Sequence, residues 1–367
     1  MKLRCDREAL LEACQFVGHL AEERSTKPIL RNLKMVAGET GLQLTATNLE
    51  SGARARVENV NVQEPGEALT PAGVLAQILR EVRSEMVDIH TEDAGLGVVA
   101  GRSQFRLVGD DPQEFPAVSD FLGDGAQKLP KEDLAEMIEM TVFATASEAT
   151  RYSLNGVLVV FQKGAAEFVA TDGRRMALVR KKMSGLTPMG ENAIVPREAM
   201  NLIQRLLVSA PGEEVLVALD ETTITVQSAA ALVTSRLVEG HFPPYGDVIP
   251  KDADKKVTVQ AGALLSALRQ ARILTSEESR AVRMHFSGGK LVLRGSAAET
   301  GEATVEMDID YEYPDLEIGF NPVLLEDALR RLPADREVSL ELSEPARPAI
   351  LRAGEDVLYV VMPVTLV

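Results

Sequence analysis

The chain has 367 residues, of which 45% are apolar and only 4% aromatic, with no tryptophan and a formal net charge of −16. That length suits two or three domains with aliphatic cores, and the acidic balance argues at first against a nucleic-acid partner, although bulk charge says nothing about its distribution. Cys5 and Cys14 are the only cysteines, which leaves no disulfide framework or zinc spacing. The charged start Met1-Lys2-Leu3-Arg4-Cys5-Asp6-Arg7-Glu8 breaks a signal-peptide pattern, and no run approaches the roughly 18 apolar residues of a membrane span, so a soluble cytoplasmic protein is expected.

Residues 2–5 read as a short strand, followed by a helix that Asp6 caps and that carries Leu10, Cys14 and Val17 on one face. Strands are expected at 29–36, 42–47 and 53–60, with Gly38 and Gly41 in a turn. A second helix opens at Pro71, with Leu75, Ile78, Leu79 and Val82 at helical spacing. Strands at 86–90, 95–99 and 104–108 then lead to Phe115-Pro116-Ala117-Val118.

The same order returns. Pro130 opens a helix with Leu134, Met137, Ile138 and Thr141 on one side, followed by strands at 153–161, 166–171 and 177–180, with Asn155-Gly156 as a turn or bulge. Pro196 opens another, carrying Ala199, Leu202, Ile203, Leu206 and Leu207, before strands at 214–218, 223–227 and 233–238 and the closing Phe242-Pro243-Pro244-Tyr245. A third round has a strand at 257–260, a helix with Leu264, Leu265 and Leu268, and strands at 282–286, 290–294 and 302–309. It ends with a helix from Pro322, strands at 337–342, 349–353 and 358–361, and Met362-Pro363.

Helices thus begin near residues 6, 71, 130, 196, 261 and 322, about every 60 residues. The stretch Ala170-Thr171-Asp172-Gly173-Arg174-Arg175 reads as a tight hairpin turn, with a relative about 124 residues earlier at Ala46-Thr47-Asn48 and another as far downstream at Gly295-Ser296. The expected architecture is α+β: three similar domains at 1–124, 125–251 and 252–367, each with two helices packed inside antiparallel sheets.

Signatures of catalysis are lacking. Gly288-Gly289-Lys290 is a hairpin turn rather than a phosphate loop, and His19, His90, His241 and His285 are scattered without ligand spacing. Asp110-Asp111 reads as a strand-end turn in preference to an acid or metal pair, which leaves a hydrolase using Asp110, Asp111 and His241 as a remote alternative. No catalytic residue, cofactor or metal is expected. Basic residues gather on helix ends and polar faces: Arg80 and Arg83, Arg197 and Arg205 with Asn201 and Gln204, Arg269 and Arg272, Arg330 and Arg331. Either they complement helix dipoles, or they form a diffuse phosphate-facing surface, made patchy by Glu8, Glu12, Glu132, Glu136 and Glu139.

Five segments in order carry a resemblance: Arg24 with Pro28-Ile29-Leu30, Arg151-Tyr152-Ser153-Leu154-Asn155-Gly156, Ala170-Thr171-Asp172-Gly173-Arg174-Arg175, Leu237-Val238-Glu239-Gly240-His241-Phe242-Pro243, and Tyr359-Val360-Val361-Met362-Pro363. Over its full length the chain resembles the bacterial DNA sliding clamps, the β subunits of DNA polymerase III. The resemblance implies a head-to-tail homodimeric ring, helices inside and sheets outside, around double-stranded DNA in a sequence-independent manner. It implies a non-catalytic processivity factor in the cytoplasm, associated with the nucleoid, with the polymerase α subunit, the clamp loader δ subunit, repair polymerases and mismatch-repair proteins as partners. A peptide-binding ring scaffold that does not enclose DNA is the alternative.

Carried onto this sequence, the resemblance implies a peptide-binding pocket from Leu154, Thr171, Gly173, Arg174, Arg175, Met176, Pro243, Val248, Val360, Met362 and Pro363. It departs from the family pattern at Arg174, Asp247, Ser153 and the tail Val364-Thr365-Leu366-Val367, which bears on peptide preference. Arg24 and Tyr152 match positions near the duplex, with Glu148 replacing a neutral residue, and Arg80, Arg83, Arg197 and Arg205 complete the DNA-facing set. The dimer contact is expected at Phe105 and Leu107 against Ile273 and Leu274, with Arg102 and Arg106 facing Glu299 and Glu302.

Overall fold

The computed structural model describes residues 1–21, 25–92, 95–120, 125–146, 152–275 and 281–366. Its six α-helices among these are α1 (Arg7–Gly18), α2 (Ala72–Glu81), α3 (Lys131–Glu139), α4 (Arg197–Ser209), α5 (Ala261–Arg272) and α6 (Pro322–Leu329). Asp6 caps α1 by accepting from the Ala9 amide at 2.9 Å, and Asn321 caps α6 by accepting from the Val323 amide at 3.1 Å. Pro71, Pro130 and Pro196 end strands, and their helices begin one residue later; only Pro322 occupies a first helical position. Proline suits both places, because its fixed φ fits extended and helical backbone and neither place needs its missing N–H. The strands Val60–Glu64, Gly66–Pro71, Gln127–Pro130, Met189–Pro196 and Leu316–Phe320 are additions to the sequence-based reading, whereas the 3-10 turns at 28–31 and 152–154 take the starts of the strands expected from 29 and 153.

The chain divides into two compact units, residues 1–135 with 198–237 and residues 136–197 with 238–367. The first holds a five-stranded antiparallel sheet in the order Val60–Glu64, Lys2–Asp6, Met86–Glu92, Gly95–Ala100, Ser103–Val108. Its second sheet has eight strands: Gln127–Pro130, Glu214–Leu219, Thr223–Gln227, Ala231–Arg236, Ser51–Val57, Gly41–Thr47, Asn32–Gly38 and Gly66–Pro71. Helix α1 packs on α2, and Leu10, Cys14, Val17, Leu75 and Leu79 are buried. Burial lifts the Cys5 thiol to about 12 and raises that of Cys14, in keeping with small core hydrophobes.

The second unit repeats the plan. Its eight-stranded sheet runs Met189–Pro196, Gly156–Gln162, Ala165–Thr171, Arg175–Lys182, Val357–Val361, Ala349–Ala353, Glu337–Leu342, Lys255–Gln260, and its four-stranded sheet Gly301–Asp308, Lys290–Ala297, Val282–Ser287, Leu316–Phe320. Helix α5 packs on α6 through buried Leu264, Leu268, Leu325 and Leu329. Each eight-stranded sheet splices strands from successive sequence repeats. Ala231–Arg236 pairs with Ser51–Val57 in one, and Arg175–Lys182 pairs with Val357–Val361 in the other. The strand Val357–Val361 is buried at all five positions, so it reads as an unbroken apolar run rather than an alternating one.

Candidate functional site

The hairpin between Ala165–Thr171 and Arg175–Lys182 is closed by side chains as much as by backbone. The Thr171 hydroxyl donates to the Arg175 carbonyl at 2.6 Å and accepts from the Gly173 amide at 3.1 Å. One carboxylate oxygen of Asp172 accepts from the amides of Arg174 and Arg175 at 2.9 and 3.0 Å. Gly173 takes φ +85°, a left-handed value that glycine adopts without steric cost. The C-terminal strand docks here: the Met362 amide donates to the Arg174 carbonyl at 2.9 Å.

Beneath this turn, Leu158, Val169, Met176, Leu178, Ile194, Ile350, Leu358 and Val360 form one buried cluster, with Val238, Phe242, Tyr245 and Ile249 packed against it. Met176 and Val360 are therefore core residues, Leu154 is buried as well, and what solvent meets is Gly173, Arg174, Pro243, Val248 and Met362, with Thr171 and Pro363 half-buried. Met362 is 38% exposed and Val248 49% exposed. The Tyr245 hydroxyl donates to buried Glu167, which Arg180 also holds at 2.7 Å. Burial first, then this bond, pushes the Tyr245 phenol up to about 12.

Arg175 is committed inward. Its guanidinium donates to Asp172 at 3.1 Å, to Asp327 of α6 at 2.7 Å and to the Phe143 carbonyl at 3.0 Å, and lies 5.1 Å from the Phe143 ring centroid. Arg331 stacks on the same ring at 4.0 Å and donates to the Glu139 carbonyl at 3.0 Å, and burial lowers its pKa. The Phe143 and Tyr359 rings stand 5.7 Å apart, and the Tyr359 hydroxyl bonds the Met140 sulfur at 3.2 Å. Sequence reasoning missed Asp327 and Phe143. Asp327 stood among other polar residues of an amphipathic helix, and nothing in its spacing names a partner 152 residues away.

The remaining expected residues fall into separate places. In the first unit, Arg80 and Arg205 line one cleft of about 960 Å³ together with Arg56, Glu12 and His19. Arg83 and Arg197 are exposed, each beside a helix end. Arg24 and Glu148 lie outside the described residues, as does the side chain of Tyr152. The helix-end arginines do not all face outward for a phosphate: Arg272 and Arg330 hold buried Glu326 at 3.1 and 2.8 Å, and Arg331 holds Phe143. Asp110 accepts from Asn32 at 2.9 Å and Asp111 caps a 3-10 turn, both structural duties.

Phe105 and Leu107 lie on Ser103–Val108, the outer strand of its sheet, where Leu107 is buried, Phe105 half-buried and Val108 77% exposed. Ile273, directly after α5, is 76% exposed and Leu274 half-buried. Gly301–Asp308 is an outer strand too. Arg106 pairs through its Nε with Glu92 at 2.7 Å, and its side chain stays 65% exposed.

Models of the DNA polymerase III beta subunit match the chain in order: the N-terminal domain at residues 1–119, the central domain at 128–244 and the C-terminal domain at 246–365. The chain is 35% identical over 369 residues to the beta sliding clamp of Pseudomonas putida and 32% identical over 369 to that of Escherichia coli K12, covering 100% of each. Among solved structures it is similar to a DnaN sliding clamp from Pseudomonas aeruginosa bound to griselimycin, with a TM-score of 0.93 at 33% identity and full coverage of both chains. A Bartonella birtlesii DnaN sliding clamp, also bound to griselimycin, gives a TM-score of 0.92 at 30% identity and full coverage. The α+β plan of paired helices on antiparallel sheets is borne out, and with three family domains spanning it end to end, this chain belongs to the DNA polymerase III beta subunits, the bacterial sliding clamps.

Proposed function

We propose that the chain is the processivity clamp of DNA polymerase III: a homodimeric ring of three domains per protomer, at 1–124, 125–251 and 252–367, that encloses duplex DNA and performs no chemistry itself. The observation that carries this reading is the full-length likeness to beta sliding clamps in both sequence and structure. A scaffold that does not enclose DNA is not favoured by it.

Enclosure makes the physics simple. A closed ring is retained on DNA by topology, so tight phosphate contacts are unnecessary and each would slow sliding. Exposed Arg80, Arg83, Arg197 and Arg205 supply a diffuse attraction, joined by Arg24 and Tyr152. The net charge of −16 keeps DNA from adsorbing elsewhere. A head-to-tail contact closes a ring when its rotation permits. The outer strand Ser103–Val108 pairs with Gly301–Asp308 of a second copy, flanked by Ile273 and Leu274; that both are outer strands and that Ile273 is exposed supports this reading. Such pairing would remove two free strand edges.

The polymerase α subunit, the clamp loader δ subunit and the repair proteins dock by short linear motifs at Met362, Val248, Pro243 and the Thr171–Arg174 turn, above the cluster that holds Met176 and Val360, with buried Leu154. A flexible peptide with one or two apolar anchors suits an apolar floor with a polar rim. The test is to load the protein on nicked circular DNA with a competent clamp loader and then linearise the circle. A clamp stays on the circle and is lost from the cut DNA; failure to load, or retention after cutting, would overturn the reading.

A further inference from the structure

Glu326 is the charged side chain of α6 that faces inward, with 0% exposure. One of its oxygens accepts from both Arg272 at 3.1 Å and Arg330 at 2.8 Å. Its other oxygen is buried with no hydrogen-bond partner among the described residues. A carboxylate held this way is costly to bury, and removing either kind of partner leaves an uncompensated charge.

What it holds is the end of α5. Arg272 is the last residue of that helix, and Ile273 follows at its C-cap. The Arg272 carbonyl is fixed as well, accepting from the Thr275 amide at 3.2 Å and the Thr275 hydroxyl at 2.9 Å. Ile273 and Leu274 thus span two anchored points, the Glu326-bound guanidinium before them and the Thr275 bonds behind. The adjoining strand presses from below: a methyl at Gly295 would stand 2.0 Å from the Ala271 carbonyl oxygen and 3.2 Å from the Thr275 methyl. A side chain exposed as far as Ile273 is ordinarily free to sample rotamers and drag its backbone with it; here the backbone is pinned.

We propose that Glu326 is a positioning residue for self-association: through Arg272 it fixes the end of α5 so that Ile273 and Leu274 meet a second copy of this chain already ordered. This rests on reading that dipeptide as the dimer contact. Because Glu326 is fully buried, it acts only through its arginines. Pre-ordering an apolar contact reduces the conformational loss on association.

The experiment measures the dimer dissociation constant of the full chain by sedimentation and dilution. Glu326→Gln is expected to raise it about tenfold, the effect of one lost charge-assisted bond. Arg330→Leu removes a partner from the same oxygen without touching the α5 end, and is expected to lower the melting temperature while shifting the dissociation constant less than about twofold. Equal shifts in the two variants would mean a general stability effect and would overturn the proposal. The double variant Ile273→Ala with Leu274→Ala tests the underlying reading: if it remains as tight a dimer as the parent, that reading fails and the proposal with it. If it dissociates while Glu326→Gln stays within twofold of the parent, the proposal alone fails. Should Glu326→Gln not fold, Glu326→Asp, which keeps the charge and shortens the arm, is measured against the same outcomes.

Discussion

The Met362 amide donates to the Arg174 carbonyl at 2.9 Å, and the same bond recurs in the first unit, where the Arg236 amide donates to the Glu50 carbonyl at 2.9 Å. The turns match bond for bond: Thr47 and Asn48 serve Leu49, Glu50 and Ser51 as Thr171 and Asp172 serve Gly173, Arg174 and Arg175. The side chains differ. Met176 stands opposite Val360 in the second unit, whereas Gly52 stands opposite Thr234 in the first, and a methyl on Gly52 would meet Val118 at 2.5 Å. The first copy is thus filled by Val118, while the second presents Met362 to solvent. Truncating Met362→Ala is expected to weaken a fluorescent client-type peptide about tenfold or more, as loss of a central apolar anchor does, with the dimer unchanged on a sizing column. Dissociation into monomers would contradict it.

Arg175 is expected to matter through the protein rather than through a ligand. Its three acceptors, with Asp327 at 2.7 Å among them, leave the guanidinium little to offer a peptide. Replacing Arg175 by Ala takes the closest cation from Asp327 and one donor from Asp172, which keeps its two amide bonds, and is expected to cost about 2–4 kcal/mol in urea unfolding. Asp327→Asn, which keeps the shape and one acceptor, should cost less than half of that.

Leu49 has φ +78° and Gly173 has φ +85°, so one backbone is occupied by a branched side chain in one copy and by glycine in the other. A left-handed conformation costs a non-glycine residue about 1–2 kcal/mol. Gly173→Ala should therefore destabilise by about 1–2 kcal/mol. Leu49→Gly should be neutral to stabilising by up to about 1 kcal/mol, since Leu49 is exposed and loses little burial. In thermal melts Gly173→Ala should fall below the parent while Leu49→Gly does not.

The Tyr245 phenol is raised to about 12 by burial and by its bond to Glu167. A raised pKa means the folded state holds the proton more tightly, so this contribution is complete below the ordinary phenol value of about 10 and is lost as pH climbs from there to about 12. Tyr245→Phe removes it. The urea midpoints of parent and variant should differ most at pH 8 and converge at alkaline pH; a gap that widens above pH 10 would contradict the assignment.

The six helices were readable because each carries an apolar stripe at helical spacing, and Leu75, Leu79, Leu202 and Leu206 are all buried as that spacing demands. The prolines misled by one residue, since Pro71, Pro130 and Pro196 satisfy a strand end as well as a helix start. Strand partners were not readable at all: Ser235 opposite Ser51 is a pairing across most of two repeats, and periodicity carries no information about which edge meets which. The candidate docking turn was visible from its Thr-Asp-Gly chemistry. That its floor belongs to the core, and that Arg175 reaches α6, depend on packing that no local pattern encodes.

The splicing of repeats within each eight-stranded sheet has a consequence for taking the molecule apart. A fragment cut near residue 252 would part the strands Val357–Val361 and Arg175–Lys182, which are paired through five residue positions from Arg175 opposite Val361 to Val179 opposite Val357. The edge left by Val357–Val361 would be apolar at all five positions, the kind that recruits other chains, whereas that of Arg175–Lys182 keeps Arg180, Lys181 and Lys182 at one end as a partial block. Sequence repetition therefore does not make this chain modular: each eight-stranded sheet takes strands from two repeats, so a duplicated unit can be read off the sequence without being a separable piece of the structure.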